Sequence, residues 1–213
     1  GIGCKWSSKA HESCHELADL LLVDSEESSF STAIEAHCLH LDANGNGRGS
    51  AALPNLAAHR LREGASGISP LLEKSELVII LTALGGGTGS GASAEIASRA
   101  KKTGSIVISI VGIPFVEQPL RSAIAETSLP TLERNSDLCI RVSLERLAWQ
   151  ARQRNSDWKL GSEWISELIE GLVATLARVG KMNLDLMDLR TIVKRPGNAT
   201  LIVYENNLPL LAT

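Results

Sequence analysis

Apolar residues gather in short, nearly unbroken runs at 77–83 (Leu-Val-Ile-Ile-Leu-Thr-Ala), 105–111 and 138–142, with a fourth at 18–23. Runs of this length, bounded by glycine or polar residues, are the form of strands buried on both faces. Elsewhere the spacing changes to three and four. Residues 53–63, 92–102 and 121–134 each carry an apolar face that predicts a helix, the last interrupted by Pro130. Strands alternating with helices predict an α/β fold, a Rossmann-like parallel sheet with helices on both faces. Such a sheet presents its ligand loops at the carboxyl ends of its strands.

Residues 150–161 are polar and predict a loop. Beyond them Ile165, Leu168, Ile169, Leu172, Val173, Leu176 and Val179 keep one stripe along a long central helix, which Gly180 is placed to end in a left-handed cap. Residues 200–204 predict one more strand before Asn206 and Asn207. The expected division is a first domain over 1–161, a central helix and the loop after it over 162–192, and the start of a truncated second domain over 193–213.

Composition narrows the classes. The 213 residues are 44% apolar with only two Phe and one Tyr, so the core must be mainly aliphatic, and the length suits one substantial domain and part of another. A net charge of −3 gives no basic footprint, and no nucleic-acid partner is expected. No apolar stretch approaches the roughly 18 to 20 residues that span a bilayer, so no transmembrane segment is expected. The start of the sequence also lacks the pattern of a signal peptide, which makes the cytoplasm the expected location. Cys4, Cys14, Cys38 and Cys139 have no paired spacing and read as reduced thiols.

The chemistry concentrates in Gly85-Gly86-Gly87-Thr88-Gly89-Ser90-Gly91, between the strand at 77–83 and the helix at 92–102. Glycines let backbone N–H groups close around an anion, and the following helix turns its positive dipole end toward the same place. Thr88 and Ser90 add hydroxyls. The run is not a Walker loop, because no Lys-Ser or Lys-Thr follows it. Gly87, Gly89 and Ala92 satisfy a loose dinucleotide pattern, but that site wants an acidic residue about 20 positions on to hold a ribose, where the chain reads Val111-Gly112-Ile113. A flexible linker is disfavoured by the strand and helix on either side.

GGGTGSG after an apolar strand resembles the signature of the tubulin and FtsZ superfamily of filament-forming GTPases. Further segments share the resemblance. Pro114-Phe115-Val116-Glu117, then Arg121, Ala125-Glu126 and Leu132, is similar to the stretch after the family's next strand, which implies that Glu117 and Arg121 contact the nucleotide's sugar and phosphate region. On the residues alone the pair reads equally as an exposed i,i+4 ion pair. Asn183-Leu184-Asp185-Leu186-Met187-Asp188 resembles the family's N-x-D-x-x-D loop. That implies Asn183, Asp185 and Asp188 orient and polarise water on the γ-phosphate of a neighbouring subunit, in a reaction dominated by positioning and electrostatics. Gly45-Asn46-Gly47-Arg48-Gly49 resembles a G-x-G-x-G phosphate loop through Gly47 and Gly49, ahead of a helix beginning near Pro54. Without the family, Asp42-x-Asn44-x-Asn46-Gly47 opens like a calcium loop, but its twelfth position is Leu53 rather than Glu.

The chain departs from the family at its start. Gly1 and Gly3 keep the first two glycines of the first phosphate loop, while Cys4, Lys5, Trp6, Ser7 and Ser8 fill the rest, and Trp6 is expected to crowd it. The strand ahead of that loop is expected upstream of the given sequence. Leu144 stands where the family places a guanine-contacting Asn, a hydrogen bond that Leu cannot make. Glu163 falls where an Asp reads the guanine edge, and Trp158 or Lys159 where an aromatic stacks on the base. Asp24, Ser25 and Glu26 occupy the second nucleotide loop and are expected to help hold Mg²⁺ through water. The clusters His11, Cys14, His15 and His37, Cys38, His40 match no zinc spacing, and no metal site is placed on them.

The resemblance thus implies a GTPase that takes GTP/GDP with Mg²⁺, self-associates into filaments or joins FtsZ-like paralogues, and serves cell division or cell shape. The alternative is a divergent, non-hydrolysing paralogue acting as a scaffold or regulator, motivated by the altered first loop and Leu144. A dehydrogenase is a third reading, disfavoured by the missing ribose carboxylate.

Overall fold

The structure, a computed structural model, describes residues 1–30, 36–42, 49–153, 155, 157, 162–177 and 185–194. In chain order the elements are α1 (Ile2–Cys14), β1 (Leu20–Asp24), β2 (Ala36–His40), α2 (Pro54–Gly64), α3 (Ser69–Lys74), β3 (Leu77–Ala83), α4 (Gly87–Lys102), β4 (Ile106–Ile113), α5 (Pro119–Arg134), β5 (Leu138–Ser143), α6 (Leu144–Gln153), α7 (Ser162–Ala177) and α8 (Leu186–Val193). All strand pairings among them are parallel: β1 with β2 in one sheet, and β3-β4-β5 in another. The fold is the expected α/β arrangement with helices on both faces.

Alternation along β3 and β4 divides the core. Val78, Ile80, Val107 and Val111 face a layer formed by α2, α3, α4 and α5, where Ala57, Leu61, Leu72, Ala97 and Leu132 are buried. Ile79, Leu81 and Ile110 face Trp6, Ala10, Leu144, Ile165 and Ile169 of α1, α6 and α7. A strand sandwiched in this way must be apolar at successive positions, which is why the runs at 77–83 and 105–111 were legible as strands. β1 and β3 are not paired with each other. A cavity of about 1520 Å³ lies between them, lined by both strands and reaching the glycine run at their carboxyl ends.

The structure departs from the sequence expectation in several places. α4 begins at Gly87 rather than at 92, so the glycine run forms the helix's first turn. Glycine is a poor helix former, but tertiary packing overrides propensity here. A β-carbon on Gly91 would overlap the carbonyl oxygen of Pro54, and one on Gly89 that of Ala83. Residues 150–153, expected in a loop, continue α6, whose buried Leu144, Leu147, Ala148 and Ala151 form a helical stripe too short to stand out from sequence. α1 carries a stripe made partly of small residues, Cys4, Trp6, Ala10 and Cys14. β2 is an edge strand with few apolar positions, and its pattern carried no strand signal. The central helix is described to Ala177, while Val179, Gly180 and the strand at 200–204 lie outside the described residues. No described helix is long and apolar enough to cross a membrane.

Candidate functional site

The glycine run turns sharply out of β3. Gly85 has φ of +95°, a left-handed backbone conformation that favours glycine, and a β-carbon there would lie 2.7 Å from Cβ of Arg121. Its N–H donates to Ser90 Oγ at 2.9 Å, which fixes the turn. Gly86 is the N-cap of α4 and offers no side-chain cap. The first backbone bond of the helix runs from Ser90 N to Gly86 O at 3.3 Å, so the N–H groups of Gly87, Thr88 and Gly89 have no helical acceptor. Space opens beside Gly86, where an added β-carbon meets nothing within 4 Å. Unsatisfied amides at a positive helix end, beside open space, are the elements of an anion site.

Two other loops converge on Thr88. Its Oγ1 lies 3.0 Å from Ser25 Oγ, just after β1, and 3.1 Å from Ser50 Oγ, ahead of α2. The backbone N–H of Ser50 also donates to Ser25 Oγ at 3.1 Å. Ser50 belongs to a strained turn. Leu53 N donates to Ser50 O at 2.8 Å across Ala51 (φ 46°) and Ala52 (φ 56°), the handedness of a type I′ turn built from two alanines. Each left-handed alanine costs about 1–2 kcal/mol. Arg60 anchors the segment before this turn by donating to Gly49 O and by pairing with buried Asp42, both at 2.9 Å. Asp42, the opening residue of the calcium alternative, is therefore occupied by a guanidinium. Gly49 has φ of +55°, whereas Gly47 lies outside the described residues. The sequence singled out Ser25 but not Ser50, which stands just past the G-x-G-x-G match and carries no pattern of its own.

Glu117 and Arg121 are both exposed near the mouth of the glycine run, Glu117 in the turn before α5 and Arg121 in its first turn. They form no ion pair with each other among the described residues, so the bland i,i+4 reading is not realised. Gly1 precedes α1, and its amino group contacts the Asp24 carboxylate and Ser29 Oγ. Gly3 lies within the first turn of α1 rather than in a loop, because a β-carbon there would press on Leu81 O and the helix could not seat on β3.

Asp24 is buried at the end of β1, and its Oδ1 accepts from the Ser25 N–H at 2.7 Å. Cys4, 3.7 Å from Asp24 Oδ2, is pushed up to about 11, chiefly by burial. Among the described residues no group of three or more His, Cys, Asp or Glu is placed to hold a metal ion. The donors beside the run are hydroxyls and amides, a set that suits Mg²⁺ only with phosphate oxygens and water completing its shell.

The base-reading positions are less complete. Leu144 is buried, and with Trp6 it closes over Gly112, where a β-carbon would lie 3.0 Å from both side chains. Trp6 therefore packs the core on the α1 face of the sheet. Glu163 lies in the first turn of α7, its side chain outside the described positions, as are Trp158 and Lys159.

Asp185 and Asp188 sit elsewhere. Asp185 caps α8: its Oδ1 accepts from Asp188 N at 2.8 Å, while Asp188 Oδ2 accepts from Asp185 N at 3.3 Å, a reciprocal capping box. Both are exposed, and each keeps a second oxygen outside the box. Asn183 lies outside the described residues. α8 packs Leu189 against Ile106 and Ile108, and Arg190 donates to Gly104 O at 2.9 Å, so it stands at the amino ends of β3 and β4. The glycine run leaves the carboxyl end. A seven-residue strand separates them, roughly 20 Å at ~3.3 Å per residue.

A parallel α/β sheet with a glycine-built helix start at its carboxyl ends defines a phosphate-binding class of protein. Residues 6–150 match the model of the Tubulin/FtsZ family, GTPase domain, and the chain belongs to that family. It is 28% identical over 203 residues to cell division protein FtsZ 1 of Archaeoglobus fulgidus, covering 93% of this chain and 55% of that protein. To cell division protein FtsZ of Haloferax mediterranei it is 31% identical over 164 residues, 76% of this chain and 44% of the relative. The chain thus spans about half the length of the curated relatives it matches. In fold it is similar to an empty FtsZ dimer of M. jannaschii, with a TM-score of 0.78 at 23% identity over 91% of this chain and 57% of that one. CetZ from Methanosaeta thermophila gives 0.68 at 18% identity, covering 90% and 56%.

Proposed function

We propose that this chain is the nucleotide-binding part of an FtsZ-like GTPase, taking GTP at the carboxyl ends of its strands and completing hydrolysis between neighbouring copies. The observation that carries the reading is the first turn of α4, whose uncapped amides from Gly87 to Gly89 open beside Thr88 and Arg121, in a chain of the Tubulin/FtsZ family. Gly85 to Ser90 would grip the β- and γ-phosphates, and Gly47, Gly49, Gly1 and Gly3 would add backbone contacts to the nucleotide. Glu117 and Arg121 would engage the sugar and phosphate region, and Glu163 the base. Ser25 and Ser50 would hold Mg²⁺ through water, while Thr88 faces the phosphate; when bound, the ion neutralises charge developing on the phosphate oxygens.

Asp185 and Asp188 stand toward the opposite pole, so with Asn183 they would act on the nucleotide of the next copy. Their carboxylates would orient and polarise water, helped by the capping box, which fixes their direction. Loss of the γ-phosphate would weaken the contact and drive filament turnover in division or shape. The cytoplasm, where nucleoside triphosphates are kept, is the compartment this reading requires.

GTP turnover against protein concentration tests it, with Asp188→Asn for comparison, since Asn keeps an acceptor for the capping box and removes the charge. Specific activity should climb with concentration and fall roughly a hundredfold in the variant, the scale of lost transition-state electrostatics. Turnover indifferent to both would refute the trans loop. Tight GTP binding with no turnover at any concentration would instead favour the non-hydrolysing scaffold.

A further inference from the structure

We infer that Ser25 and Ser50 are positioning residues that commit the Thr88 hydroxyl to donate outward, to an anion on the glycine run; the inference rests on the phosphate reading above. A threonine hydroxyl has one proton and two lone pairs. Ser25 Oγ and Ser50 Oγ lie 3.0 and 3.1 Å from Thr88 Oγ1, so two serine protons can fill both lone pairs. Ser50 N–H already occupies one acceptor position of Ser25 Oγ, which favours Ser25 as a donor to Thr88. With both lone pairs taken, the Thr88 proton has no acceptor left within the knot and points away from it. Two hydroxyls donating to a third, which itself donates toward a negative charge, polarise that third hydroxyl and strengthen its bond.

The surrounding backbone supports the same role. Ser50 is held over the first turn of α4 by the left-handed Ala51-Ala52 turn, and it fits only because Gly87 has no side chain: a β-carbon there would lie 2.6 Å from Ser50 Cβ. Strain at two alanines and a glycine at the contact are thus concentrated where they bring one hydroxyl to Thr88. Strain of this kind is maintained where the surroundings over-determine a conformation.

The test is a double-mutant cycle on binding, measured by titration calorimetry with inorganic tripolyphosphate and with GTP, with Tm recorded for every variant. Thr88→Val should weaken tripolyphosphate binding roughly tenfold or more, the scale of a hydrogen bond to a charged group. Ser50→Ala and Ser25→Ala should each weaken it several-fold in the wild-type background, yet have no further effect once Thr88 is Val. Full additivity with Thr88→Val at either serine overturns the inference, because a merely structural serine would lower affinity whether or not residue 88 has a hydroxyl. Using both serines keeps the test alive if one variant fails to fold. Failure of wild-type protein to bind either ligand would overturn the phosphate reading itself and this inference with it. Binding with additive losses would overturn this inference alone.

Discussion

Gly91 of α4 and Pro54 of α2 meet backbone to backbone: a β-carbon on Gly91 would overlap the Pro54 carbonyl oxygen. This contact locks the helix that carries the glycine run to the one that follows the Ala51-Ala52 turn. Gly91→Ala should therefore destabilise the fold by about 3 kcal/mol, the upper part of the overpacking range, while Gly86→Ala, whose β-carbon enters open space, should cost little. Urea denaturation of the two variants separates them.

Relief of the strained turn should stabilise the chain. Ala51→Gly or Ala52→Gly removes a left-handed alanine, and after subtracting the extra entropy of an unfolded glycine the expected gain is about 0.5 to 1 kcal/mol each. A lower urea midpoint in both variants would show that the turn is not held in its left-handed form.

Alkaline pH should expose the burial of Cys4. Burial pushes the Cys4 thiol up to about 11, so between pH 9.0 and 11 the unfolded chain ionises this group and the folded one does not. Stability is therefore lost as pH rises through that window. Cys4→Ala should lose less than wild type between pH 8 and 11 in urea denaturation, and equal losses would show that Cys4 is not protected.

Removal of the cap at Asp185 should be local. Asp185→Ala strips Asp188 N of its acceptor and should cost about 1 kcal/mol, whereas Asp185→Asn should restore most of it. Hydrogen exchange along α8 reads the difference directly, and equal exchange in the two variants would count against the cap.

The parallel strands were legible because burial on both faces forces an unbroken apolar run, as in 77–83, which became β3 residue for residue. The glycine run and Arg121 were legible as neighbours only through family resemblance, since the packing of Arg121 against Gly85, too close to admit a β-carbon there, depends on a fold that joins distant segments. Ser50 was not legible at all. Its importance comes from a turn made by alanines where sequence rules expect asparagine and glycine, and from two hydroxyls 25 and 38 positions away. Trp6 was expected to crowd a phosphate loop; the structure places it in the core against Gly112 and Leu144, because α1 has already begun by residue 2.

The capping box on α8 and the bare amides on α4 face out from opposite ends of one sheet. Any contact that joins them uses a different surface on each molecule, so it is heterologous and leaves one of each surface free for the next copy. Such a row has a direction. Its two tips would expose different chemistry, carboxylates at one and uncapped N–H groups at the other, so each would take up the next copy through a different contact.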